Sequence, residues 1–254
     1  MAVVRSADGT QIAYEVTGSG PAVVMIDAAG GYRDFNSLRP LADLLAKDGF
    51  TTYTYDRRGR GASTDAGDYA VEREIEDIAA VIAEAGGEAM IYGWSSGALL
   101  GVRAAAAGLP ITKLALFEPP YGSEEAHDAE TLATLKTLVA EDRRGDVVDL
   151  FHTAIGVPPE ILAGMEPIKP MLEAIAPTYV YDWQIAATTT TAHMASVRVP
   201  AFVLDSTATG PEMNDGVDEI VKALPHSTHK RFEGEWHDLP IDVLAPELAA
   251  FYKS

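Results

Sequence analysis

The pentapeptide Gly93-Trp94-Ser95-Ser96-Gly97 constrains this chain more than any other stretch, because it stands where a short apolar strand gives way to a helix. Glu88 to Tyr92 reads as the strand, and Ser96 to Ala107, rich in alanine and leucine, reads as a buried helix. Joining them so abruptly strains the backbone at Ser95. It also leaves room only for hydrogen two residues before and after, where Gly93 and Gly97 stand. Ser96 has Trp94 and Ala98 at those positions and does not meet the demand. A serine raised on such a turn is a nucleophile elbow, and the flanking strand and helix separate it from chance occurrences of so short a pattern.

The rest of the chain supplies a scaffold for that turn. Ala2–Arg5 and Gln11–Val16 read as a hairpin around Asp8-Gly9, and Ala22–Ile26 as a strand covered on both faces. A helix is expected from about Phe35 to Lys47, a strand over Thr51–Tyr55, and an amphipathic helix through Val71, Ile75, Ile78 and Ile82. Lys113–Phe117 is a strand. Strands and helices alternating in this way imply right-handed crossovers and a mostly parallel sheet with helices on both faces. The alternation breaks over residues 121–197, where helical runs and Pro158, Pro159, Pro167, Pro170 and Pro177 leave no strand. It resumes with Ala201–Leu204 (strand), Val217–Leu224 (helix), Lys230–Phe232 (strand) and Leu239–Tyr252 (helix). The expected organisation is therefore an α/β core from 1–120 and 198–254, with a helical cap inserted at 121–197.

Composition narrows the chemistry. A formal charge of −19 argues against nucleic acid, whose phosphates would be repelled, and is otherwise the charge of a soluble surface. With no cysteine, disulfides and thiolate catalysis are excluded. The start of the chain lacks the apolar core of a signal peptide, and no run approaches a membrane span, so a cytoplasmic protein is expected.

A serine hydroxyl needs a base to take its proton. Six histidines compete. His237, on the loop after the last strand and before the final helix, has the position the layout requires. His226 and His229 precede it in loop and strand, and His127, His152 and His193 fall in the insertion, where surface or core roles are the simpler reading. The acid that orients the imidazole is either Glu118, at the end of the strand beside the elbow strand, or Asp205 or Asp215 after the strand ending at Leu204. Glu118 is preferred: a carboxylate leaving an apolar strand onto Pro119-Pro120 needs a partner, and Asp215 has a simple capping role at a helix start. The oxyanion site should combine the Ser96 amide with one from Asp27–Tyr32, Ala29 being preferred and Ala28 its neighbour alternative. Arg57, Arg58 and Arg60 are read as ion pairs stabilising their turn rather than as an anion site.

These residues resemble the α/β-hydrolase fold family over essentially the whole chain: the elbow, the Asp-x-x-Gly-x-Gly loop Asp56-Arg57-Arg58-Gly59-Arg60-Gly61, and the late Trp236-His237-Asp238. More narrowly, Gly-x-Ser-Ser-Gly-Ala followed by Glu-x-Pro is similar to the zearalenone lactonase branch. That likeness implies Glu118 as the triad acid and Trp183, in the insertion, as a substrate contact. Asp27-Ala28 stands where many members carry the His-Gly pair that shapes the oxyanion loop. A serine nucleophile excludes the aspartate-based dehalogenase and epoxide-hydrolase chemistries of the fold.

The expectation is a serine hydrolase of a carboxylic ester or lactone with no metal or organic cofactor. Its partner would be a hydrophobic small molecule held under the insertion by residues such as Phe151, Met165, Met171, Tyr179, Tyr181 and Trp183. Neither nucleic acid nor membrane is expected as a partner, and a homodimer is allowed for. The same triad would also serve acyl transfer, C–C cleavage or perhydrolysis, and the altered oxyanion loop leaves a non-catalytic binding member of the fold as the rival class.

Overall fold

The architecture is described from a computed structural model, which covers residues 1–122 and 128–254. Eight strands, β1 (Ala2–Arg5), β2 (Gln11–Gly18), β3 (Ala22–Ile26), β4 (Thr51–Tyr55), β5 (Ala89–Trp94), β6 (Ile111–Phe117), β7 (Ala201–Ser206) and β8 (Ser227–Phe232), form one sheet in the order β1-β2-β4-β3-β5-β6-β7-β8. From β3 to β8 the pairing is parallel; β2 is antiparallel to both of its neighbours. β3 shows why an unbroken apolar run belongs in such a sheet. Val24 and Ile26 enter the core under α2 (Val71–Glu84) and α3 (Ser96–Ala106), while Val23 and Met25 enter the core under α1 (Arg39–Lys47) and the last helix (Ile241–Lys253).

Between β6 and β7 lie α4 (Ala129–Ala140), α5 (Arg144–Ala154), α6 (Pro159–Gly164), α7 (Lys169–Ala174), α8 (Tyr179–Thr188) and α9 (Thr191–Ser196), with no strand among the described residues. Their own core gathers Leu135, Val147, Phe151, Leu172, Tyr179 and Trp183. The insertion is not a separate body, however: Ile185, Ala186, Met194 and Val197 belong to the sheet core.

Several element boundaries differ from the sequence reading, and three of them bear on the site. The helix expected from Phe35 starts only at Arg39, because Asn36 takes a left-handed φ of 48° and Pro40 requires a helix start rather than an interior. The strand read as Ala201–Leu204 runs on to Ser206, carrying Asp205 within it. The helix expected at Val217 is α10 (Pro211–Ala223), opened by Gly210 and Pro211, so Asp215 lies inside it and not at its start.

Candidate active site

Ser95 sits where β5 ends, with φ 55° and ψ −123°, and its amide donates to Phe117 O of neighbouring β6 at 2.8 Å. The flanking glycines are required by contact distances. A Cβ on Gly93 would lie 2.5 Å from Gly97 O, and one on Gly97 would lie 2.4 Å from Ile26 O in β3. Helix α3 therefore packs backbone-close against both strands, and that approach lifts Ser95 above the C-terminal ends of the parallel strands, where crevices in α/β sheets form. Ser95 lines the same space as His237 and Trp236. The neighbouring Ser96 Oγ is committed elsewhere: it donates to Asp182 Oδ1 at 2.7 Å in a buried setting.

Glu118 follows β6 directly and is fully buried. Its amide donates to Leu204 O of β7 at 2.9 Å. One carboxylate oxygen accepts from the Ser206 amide at 2.7 Å and from Thr209 Oγ at 2.5 Å. The other lies 2.5 Å from His237 Nδ1. Thr209 also accepts from the His237 amide at 3.1 Å, so a single hydroxyl ties Glu118 and His237 together. Glu118 and His237, like Ser95, adopt left-handed backbone, with φ of 43° and 55°.

Neither aspartate alternative is in that position. Asp205 is instead paired with β8, to His229 Nε2 at 2.9 Å and Arg231 Nε at 2.7 Å, and Asp215 lies in α10. His193 completes a capping box with Thr190. His152 hydrogen-bonds Val148 O through Nδ1 at 2.7 Å, and burial pushes its pKa down. His127 lies outside the described residues.

Two connected spaces meet at Ser95. A tight inner one of about 40 Å³ is bounded by Pro120, Ile155, Trp183, Ala186 and Met213; a wider one of about 380 Å³ extends over Phe35, Val157, Met165, Ile168 and Leu172. Ala29, Ser95, Phe151, Trp236 and His237 line both. Trp183 is buried in the wall of the inner space with its indole nitrogen 3.2 Å from Asp128 O. Phe151 and Met165 also reach the lining. Tyr179 instead packs against Phe151 and His152, and Tyr181 stacks on Tyr69 at 3.8 Å.

The loop after β3 brings Ala28 and Ala29 to the same place. The Ala28 amide is taken by Asp27 Oδ1 at 3.2 Å. Burial pushes the Asp27 carboxyl up to about 7 against the opposing pull of Arg60 and Arg57. The three arginines after β4 are all buried ion-pair partners, and they reach well beyond their own turn. Arg57 binds Glu74 of α2 (2.7 Å) and Asp182 of α8 (2.7 Å), Arg58 binds Asp77 (2.8 Å) and Asp8 (2.9 Å), and Arg60 binds Asp182 (2.5 Å). Thr209, Asp182 and Arg60 are residues of this site whose placement the sequence reading missed. Asp182 and Arg60 lie more than a hundred positions apart, and only the folded chain joins them.

A strained serine, a histidine–carboxylate pair and an apolar crevice at the ends of parallel strands define a hydrolase-type site on an α/β sheet. Residues 20–249 match the model of the alpha/beta hydrolase family, and the chain belongs to that family. It is 43% identical to an alpha/beta hydrolase from Sphaerobacter thermophilus DSM 20745, with 99% of this chain and 100% of that one covered and a TM-score of 0.92. An enol-lactonase from Burkholderia xenovorans LB400 shares the fold at 17% identity, with complete coverage of both chains and a TM-score of 0.78. A curated relative, the uncharacterized hydrolase YraK of Bacillus subtilis (strain 168), is 36% identical over 98 residues, which span 37% of this chain and 35% of that protein.

Proposed function

We propose that this protein hydrolyses a hydrophobic carboxylic ester or lactone through an acyl-enzyme on Ser95. The observation that carries the reading is the convergence of Ser95 and the Glu118–His237 pair on one apolar cavity. His237 Nδ1–H donates to Glu118, which leaves Nε2 as the nitrogen to accept the Ser95 proton as Oγ attacks the carbonyl carbon. The carboxylate then stabilises the imidazolium. The developing oxyanion is held by the Ser96 and Ala29 amides. His237 returns the proton to the leaving alkoxide, and a water molecule, deprotonated in turn by His237, releases the acid and restores Ser95.

The inserted helices act as a cap, and Trp183 forms a wall of the narrower side of the substrate pocket. The enol-lactonase likeness and the Glu-x-Pro resemblance to the zearalenone lactonase branch support lactones beside simple esters as the substrate class. Turnover of p-nitrophenyl butyrate tests the reading. Ser95→Ala is expected to lower kcat by at least about 10³-fold with an unchanged melting temperature. Full activity in that variant would remove Ser95 from the mechanism.

A further inference from the structure

Asp182 and Arg60 have no part in the chemistry just described, yet they meet directly behind the oxyanion loop. Asp182 comes from α8, in the insertion. It is buried, accepts from Ser96 Oγ and Arg57 on one oxygen and from Arg60 on the other, and lines the inner cavity. Burial would raise its pKa, but the Arg57 and Arg60 guanidiniums reverse that and hold it below the ordinary value. Arg60, equally buried, spends its remaining donors on the loop after β3: Nη1 lies 2.6 Å from Ala28 O and 3.3 Å from Gly31 O, while Nε donates to Thr178 at 3.1 Å. Arg57 Nη1 adds a contact to Asp27 O at 3.3 Å.

The bond to Ala28 O bears on the oxyanion site. Ala28 C=O and Ala29 N–H belong to one peptide unit, which is planar and trans, so the two groups point in opposite directions. A guanidinium that anchors the carbonyl on the buried side turns the amide toward the cavity that Ala29 lines with Ser95. A cation on the carbonyl oxygen also polarises the unit and makes its N–H a stronger donor. Meanwhile Asp27 has tied down the neighbouring Ala28 amide.

Resting on the hydrolase reading above, we propose that Arg60, fixed by Asp182 of the insertion, is the positioning residue that aims the Ala29 amide at the oxyanion. Docking of the inserted helices and completion of the oxyanion site are then one event.

The test compares p-nitrophenyl butyrate with its thionoester, in which sulfur replaces the carbonyl oxygen. Sulfur is a poor acceptor of N–H hydrogen bonds, so an aligned oxyanion site favours the oxygen ester and a misaligned one loses that preference. Arg60→Gln and Asp182→Asn are each expected to lower kcat on the oxygen ester about 30- to 300-fold with KM within about threefold. The oxo-to-thiono kcat ratio should fall at least about tenfold, and Arg60→Lys, which keeps the cation, should restore part of it. Asp77→Asn breaks the equally buried Arg58 pair, which does not touch the loop. It should lower the melting temperature comparably and leave the ratio at its wild-type value.

A wild-type ratio in folded Asp182→Asn and Arg60→Gln, or an equal fall in Asp77→Asn, would overturn the proposal. If Arg60→Gln does not fold, Arg60→Lys and Asp182→Asn decide on the same ratio. Undiminished turnover by Ser95→Ala would instead overturn the hydrolase reading itself.

Discussion

Asn36, Ser95, Glu118, Asp142 and His237 are the non-glycine residues with left-handed φ among the described residues, and three of them make up the proposed triad. Each such residue costs on the order of 1–3 kcal/mol, so its surroundings must over-determine it. At Ser95 the close approach of α3 to β3 and β5 does this. At Glu118 and His237 the work falls to Leu204 O, Ser206 N and the shared Thr209 hydroxyl. Glu118→Gln should therefore lower kcat about 10²- to 10⁴-fold, while Asp205→Asn should leave kcat within about threefold and lower the melting temperature, since it loosens only His229 and Arg231. The opposite ranking in steady-state kinetics would reassign the acid.

Asp27 gives a pH signature. Its native carboxyl keeps a proton up to about pH 7, whereas the unfolded one releases it near the ordinary carboxylate value. The contribution to stability is thus fully present below about pH 4 and is lost as pH rises through 7. Asp27→Asn, which retains an acceptor for the Ala28 amide, should gain up to about 4 kcal/mol over the parent between pH 4 and pH 8 in urea unfolding. A pH-independent difference would show that Asp27 titrates normally.

At the scale of elements, the junctions were legible wherever local chemistry alone dictates them. Gly93 and Gly97 are readable because the strand-to-helix turn admits nothing larger, and Gly97→Ala, with a Cβ 2.4 Å from Ile26 O, should destabilise by more than about 3 kcal/mol in chemical denaturation. β3 was legible because burial on both faces leaves an unbroken apolar run. The start of α1 was not, since apolar residues before Asn36 and Pro40 continue a helical spacing that the backbone cannot follow. β7 was cut short because Asp205 reads as a strand end, whereas its buried partners come from β8. The insertion carries little periodicity because α6 buries no residue and α7 and α9 one each, while α8 buries Tyr179, Val180, Asp182, Trp183, Ile185 and Ala186 on more than one face. Trp183→Ala in α8 should cost about 3–5 kcal/mol and open the narrow side of the pocket, so branched acyl esters should gain in kcat/KM relative to linear ones. An unchanged preference would show that the Trp183 wall does not meet substrate.

Across the whole molecule, the candidate site is assembled from every part of the chain: the loop after β3, the arginines after β4, the elbow, the end of β6, α8, the turn after β7 and the loop after β8. Ser95, Glu118 and His237 could be found in the sequence because each carries its own chemical demand at a topologically fixed place. Thr209 and the Arg57–Asp182–Arg60 cluster could not, because a hydroxyl or an ion pair spanning more than a hundred residues leaves no local pattern. Among the described residues no helix is long and apolar enough to cross a membrane. The insertion is tied to the core by buried charges, Asp182 of α8 binding both Arg57 and Arg60.

In the proposed mechanism His237 and Glu118 activate Ser95 as a nucleophile. Labelling the protein with a fluorophosphonate and mapping the adduct by peptide mass spectrometry tests it most directly. One adduct is expected, on Ser95, absent in Ser95→Ala and slowed by orders of magnitude in His237→Ala. No adduct on the folded protein, or one on Ser96 or any other residue, would contradict it.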